Sequence, residues 1–307
     1  MLQPMLYFVQ FLLIFYSLPL FFSLNTPQPY FIHKFVVQAD TVYTGPKRIG
    51  ELENLKIDEP SGLAFSHDHP GIIYTHNDSG GRALVYLTDT LGKHKGLIKL
   101  KEVWNRDWED IAVGPGPEEG KSYVYVGEIG DNSQKYKSIR LYRFPEPEVL
   151  RDTMEIFPEM VKLTYPDGAK DAETLLLDPI TKDVFILTKR DSINGLYRVP
   201  QDAWGQEKYE MEKVMDVPVS MAVGGDISKD GKAILIKNYF VVYYWERDPE
   251  ETIMDALARN PTILPYKPEP QGEAIGFTPS GNAYFTLSEK RFGIAPVLYR
   301  YDKLQQD

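Results

Sequence analysis

The chain of 307 residues contains no cysteine. Disulfides, thiolate catalysis, cysteine-ligated zinc and lipidation of an N-terminal cysteine are thereby excluded. Basic residues are in deficit: 34 Lys and Arg stand against 44 Asp and Glu, a net charge of −10. That sign opposes phosphate-backbone contacts and leaves no case for nucleic acid as a partner, whereas cations suit it. The short motifs of common chemistries are also missing. There is no Gly-x-Ser-x-Gly elbow, no phosphate-binding glycine loop and no His-Glu-x-x-His helix. Helix-forming stretches are scarce, and Glu250–Arg259 is the one segment with helical composition.

Long apolar runs are confined to one place. Met5 to Leu24 is broken only by Gln10, Ser17, Pro19 and Ser23, long enough for a signal-peptide core or a bilayer span. No Lys or Arg precedes it, Asn25-Thr26-Pro27 is a poor cleavage site, and the small-residue form Val37-Gln38-Ala39 comes late. Export is the expectation, to a secreted or periplasmic location. Cleavage and anchoring through residues 5–24 both stay open, and any membrane contact would run through that segment. Residues 1–28 are therefore read as signal or anchor, 29–46 as a linker and 47–307 as one domain.

What that domain has in abundance is repetition. Pro60-Ser61-Gly62-Leu63-Ala64, Trp108-Glu109-Asp110-Ile111-Ala112, Ala172-Glu173-Thr174-Leu175, Gly225-Asp226-Ile227-Ser228 and Gly272-Glu273-Ala274-Ile275 recur at intervals of roughly fifty residues. After each comes a turn rich in Gly, Pro and Asp, then an apolar second strand, then a third strand marked by Tyr86, Tyr142, Tyr197, Tyr244 or Tyr299. Leu100, Leu163, Asp216 and Leu264 mark a fourth strand just upstream of the next repeat. The pattern predicts an all-β propeller of five four-stranded blades; six would need a hidden blade. The last repeat runs out of chain after its third strand. The segment from about Lys47 to Leu55 is expected to supply the missing fourth strand and close the ring. The extra length around Pro145–Pro158 reads as an extended loop, and a monomer is expected.

Topology then gathers the charges. In a four-stranded meander, the start of strand one and the end of strand two lie at the same end, around the channel. Glu59, Glu109, Asp110, Asp171, Glu173, Asp226 and Glu273 come from the first position; Asn77, Asp78, Glu128, Asp131, Asn132, Lys189, Arg190, Lys237, Asn238, Glu289 and Lys290 come from the second. Carboxylates and amides converging on one opening are hard oxygen ligands of the kind that suits Ca²⁺. Asp110 and Glu173 are candidate ligands on this ground. Lys189, Lys237 and Arg190 are placed to hold an anionic ligand or steady an oxyanion, and Glu109 or His76 to move a proton. The same acids and lysines could equally neutralise one another and plug the channel. His76 could equally be a buried or turn-bonded histidine. Spacing leaves open which acids face the axis.

The segments beginning at Pro60, Thr75, Trp108, Gly127 and Gln271 resemble those of exported bacterial propeller proteins of undefined activity. That group is distantly similar to propeller phytases and calcium-dependent lactonases and arylesterases. The resemblance implies Ca²⁺ held in the channel, with Glu59, Asn132, Asp226 and Glu273 in that role. Those enzymes have six blades, against the five read here. The function expected is metal-dependent hydrolysis of a small anionic ester, phosphoester or lactone. The alternative is a non-catalytic propeller that holds a small anionic ligand or a protein at the channel mouth.

Overall fold

The computed structural model describes residues 42–305. The signal or anchor reading of residues 1–28 and most of the linker fall outside that range. The described residues form five sheets, each built on an antiparallel four-stranded meander, arranged as a ring, a five-bladed β-propeller. Blade one comprises Pro60–Phe65, Ile72–Asn77, Arg82–Asp89 and His94–Trp104. Blade two comprises Asp110–Pro115, Ser122–Glu128, Ile139–Pro145 and Glu159–Thr164. Blade three runs through Ala172–Leu177, Val184–Thr188, Asn194–Val199 and Glu212–Val217. Blade four uses Gly224–Ile227, Ala233–Lys237, Val242–Glu246 and Thr262–Leu264. Blade five has Gly272–Phe277, Ala283–Ser288 and Val297–Asp302, completed by Lys47–Glu51 from the start of the domain.

That last pairing is the expected closure. Lys47 lies opposite Arg300 and Glu51 opposite Val297, antiparallel. The seam begins earlier than composition implies: Tyr43, read as linker, is fully buried and bridges Lys303. A chain sewn at both ends into one blade cannot open the ring without losing those bonds, which removes an exposed edge.

Two elements depart from the reading. The Pro145–Pro158 segment is not merely a loop. Its residues Thr153–Ile156 form a strand that pairs in parallel with the outer strand of blade one, Leu97 opposite Thr153 and Leu100 opposite Ile156. Tyr209–Glu210 does the same one blade on, against Leu163 and Thr164. Each insertion thus covers the outer edge of the preceding blade. The helix falls where expected, Ile253–Leu257, started by a reciprocal Thr252–Asp255 capping box.

The inner strands of blades one, three and five are buried at every residue, because both faces pack against neighbouring blades. Five apolar clusters fill the five gaps between blades. Polar stitching runs through the same layer. The Asp110 carboxylate accepts from its neighbour Ile111 N (2.9 Å), from Leu175 N in blade three (2.9 Å) and from Gly225 N in blade four (3.4 Å). Asp226 accepts from Ile227 N (2.8 Å) and from Phe277 N in blade five (2.7 Å).

Burial pushes the Asp226 carboxyl up to about 7, although its two backbone donors pull the other way. An unfolded aspartate ionises near 4. The folded-state value is the higher one, so the cost of burying the charge accrues as pH rises from about 4 to 7. Asp226→Asn removes that dependence. Urea unfolding of both proteins should show the variant gaining on the wild type between about pH 4 and pH 7. Parallel stability curves across that window would sink the assignment.

Candidate functional site

Aligning the blades by strand pairing puts Ser61, Glu109, Glu173, Gly225 and Glu273 at one equivalent position, the seat just before the inner strand settles into register. In blades one, three and five the register slips there, between Pro60 and Gly62, Ala172 and Thr174, Gly272 and Ala274. The bulged residues are Ser61, Glu173 and Glu273. A bulge turns one side chain out of the alternating pattern, and here it turns them to the channel mouth. Gly225 leaves the fourth seat empty because a Cβ there would lie 2.7 Å from the Leu235 carbonyl. The ring is therefore three glutamates, a serine and a gap.

Glu109, Glu173 and Glu273 are all buried, and one carboxylate oxygen from each lies within 4.8 Å of the others. A second such group, Asp78, Asp107 and Glu109, adjoins it through the shared Glu109. Burial and the neighbouring carboxylates, chiefly Glu173, hold the Glu109 carboxyl well above the usual range. Glu173 is raised by burial and by Glu273. Burial with the charges of Asp107 and Glu273 lifts Asp78 to about 7. Asp78, Glu109, Glu173 and Glu273 line a cavity of about 480 Å³ together with Asn132, Lys189, Arg190, Tyr239, Glu289 and Arg291.

The cations in the cavity are already committed. Lys189 pairs with Glu173 and also donates to Tyr239 Oη (3.0 Å), which donates in turn to Glu273 (2.8 Å). Burial works against the charge on Lys189, but Glu173 outweighs it and keeps the ammonium protonated. Arg190 is held by Asp171 (2.5 Å) and by Asn132. Arg291 lies 3.2 Å from Glu289. Among the described residues, Glu173 is the one member of the glutamate triad with a cationic partner, and its Oε2 is buried without any. Three buried carboxylates share one lysine. In a low-dielectric mouth that arrangement must bind a cation or hold protons.

The residues singled out in the sequence divide into three sets. Glu109, Asn132, Glu173, Lys189 and Glu273 meet in the cavity. Asp110 and Asp226 face away from the mouth and spend their oxygens on backbone N–H groups, so they staple blades. Glu59, His76 and Lys237 lie elsewhere. Glu59 is exposed outside the cavity. His76 is fully buried edge-on to Trp108 (5.6 Å), its Nδ1 beside Asn77 O, and burial lowers it to about 4. A neutral ring sealed from the cavity is placed as a core histidine. Lys237 donates to the Gly272 carbonyl and lies over the Tyr266 ring, and burial lowers it to about 8. Asp107 and Tyr239 were missed. Asp107 sits two residues before Glu109, and Tyr239 is an aromatic in a loop read only for its Asn.

No family model matches the chain, and no curated protein matches it. Among solved structures it is similar to hydrazine synthase from Kuenenia stuttgartiensis, at 10% identity and a TM-score of 0.45, covering 81% of this chain and 84% of that one. It is also similar to the Dos1 propeller, at 11% identity and a TM-score of 0.37, covering 79% and 68%. Likenesses this distant carry no argument about the site. Nothing in these comparisons supports the phytase and lactonase resemblance, so a functional reading stands on the chain's own residues.

Proposed function

We propose that the mouth of the propeller channel binds a divalent cation of the calcium class, with Glu109, Glu173 and Glu273 as its carboxylate ligands. The observation that carries this reading is the buried triad served by a single lysine, with Glu173 Oε2 unpartnered. Oxygens about 2.3–2.6 Å from a central Ca²⁺ lie at most about 5 Å apart, which the triad's 4.8 Å limit meets. Hard oxygen donors without nitrogen or sulfur favour Ca²⁺ over zinc or copper.

The committed state of Lys189, Arg190 and Arg291 favours binding over chemistry on an anionic substrate, since none is free to hold one. Hydrolysis of a small ester, phosphoester or lactone is the second reading. The observation favouring it is the cavity's size, about 480 Å³, well beyond the needs of an ion and in the range of small-ligand sites. A bound Ca²⁺ would polarise a substrate oxygen.

Metal analysis of the purified protein, with thermal melts in chelator and in added Ca²⁺, tests the first reading. Calcium at about a thousandfold its dissociation constant should add about 4 kcal/mol of stability. If no metal copurifies and neither treatment moves the melting temperature, the cation site is wrong. A panel of chromogenic esters and phosphoesters, assayed with and without Ca²⁺, decides between holding and hydrolysis.

A further inference from the structure

The loops that build the acidic cavity also carry bulky apolar side chains into solvent. Met221 lines the cavity itself, Phe240 follows the cavity residue Tyr239, and Phe292 follows Arg291. Ile193 and Ile294 lie in the corresponding loops of blades three and five, and Leu55 at the seam between blades five and one. Phe292 is 93% exposed and Leu55 82%. At the opposite end of the channel the turns also expose Leu91, Val149, Phe157 and Ile180, but none of these lines the acidic cavity. The apolar side chains form an arc over blades three to five and the seam; the loops joining second and third strands in blades one and two are polar, and Trp104, 66% exposed in the link from blade one to blade two, extends the apolar rim there. Met221 and Phe292 are also held at φ of 56° and 54°, a conformation that bulky residues rarely adopt and that clusters at binding sites.

The chemistry of the occupant follows from the charge inside the arc. Asp78, Glu109 and Glu273 line the cavity without a cationic partner among the described residues. A divalent ion among the glutamates offsets two charges and leaves Asp78, close to Asp107 and near Glu59 and Glu289, still unmatched. An ordinary interface has an apolar core and a polar rim; this face has the reverse. Its partner must therefore bring a positive centre with apolar flanks. The arc spans three blades and a seam, wider than a small amine could cover.

We propose that the channel mouth is a docking surface for a protein segment carrying a lysine or arginine between apolar side chains. The basic group enters beside Asp78 and Glu289, and its neighbours cover Phe240, Phe292 and Ile294. Phe240 and Phe292 add the attraction of aromatic faces for a cation.

Fluorescence anisotropy with two labelled nonapeptides tests this, using the full-length chain saturated with Ca²⁺. One peptide has a central lysine flanked by leucine and phenylalanine; the other has glutamate in its place. The lysine peptide should bind at least about a hundredfold more tightly than the glutamate peptide. The double variant Phe240→Ser and Phe292→Ser should weaken binding at least about tenfold without moving the melting temperature, and Asp78→Asn should weaken it at least about tenfold without lowering the melting temperature. Equal binding of the two peptides, no loss in the Phe240 and Phe292 variant, or no peptide binding at all overturns the proposal. So does competition by n-butylammonium as strong as by the peptide, or binding to phosphatidylcholine vesicles in its place. Calcium stoichiometry, measured on the same preparation without peptide, reports separately on the cation site.

Discussion

Replacing Asp110 by alanine is expected to cost about 3–5 kcal/mol and bring the propeller close to unfolding at room temperature. The side chain is fully buried and is the acceptor for backbone N–H groups in its own blade, in blade three and in blade four. Alanine leaves the Leu175 and Gly225 donors in the inner layer, where water does not replace the lost oxygen. Each buried donor left unmade costs about 1–3 kcal/mol. A further loss comes from the void, against a total stability of about 5–15 kcal/mol for a domain. One term opposes this: burial holds the Asp110 carboxyl well above the usual range, so removing it also relieves a buried acid. Asp110→Asn separates the two effects. It keeps an oxygen for the cross-blade donors and discards the charge, so it should lose less than half as much as alanine. Urea midpoints at constant slope are the measurement. An alanine variant within about 0.5 kcal/mol of wild type would show that the stitching contributes nothing.

The contrast between Asp110 and Glu109 also marks how far the sequence could be read. The fifty-residue period, the tyrosine-bearing third strands and the missing last strand were legible because they are patterns of residue type, and blade count and ring closure follow from them. Which of two adjacent acids turns to the channel is a matter of register. In blades three and five it depends on a one-residue bulge that leaves no compositional mark. Reading by chain position and by resemblance therefore chose Glu59, which sits two residues before the seat that Ser61 occupies. It also chose His76, whose burial depends on Gly62: a Cβ there would meet His76 Nε2 at 2.9 Å and Ile111 N at 2.8 Å. The edge strands Thr153–Ile156 and Tyr209–Glu210 were illegible for a different reason. Each is held by a neighbour blade remote in sequence, so local pattern carries little of the signal.

Substituting Glu109 by glutamine is expected to move two measurements in opposite directions. In metal-free protein, Glu109 is a buried carboxylate beside Glu173, Asp78 and Glu273, with every neighbouring charge raising its cost. It has no lysine to lose. Glutamine keeps the shape and removes the repulsion, so the metal-free variant should be more stable than wild type by about 1–3 kcal/mol. The same change removes one of the three carboxylates proposed as ligands, so the gain in stability on adding Ca²⁺ should largely vanish. Glu173→Gln is the control with the opposite sign. It strips Lys189 of its partner in a buried setting, so the metal-free protein should lose about 3–5 kcal/mol. If the mouth were simply an ion-paired plug, with no role for a cation, Glu109→Gln could still stabilise, but wild type would show no calcium response to lose. Melting curves of three proteins in chelator and in Ca²⁺ therefore separate a site from a plug. A stabilised variant that has gone deaf to calcium is the outcome that identifies these acids as ligands, because structural acids are not held at such cost without a use.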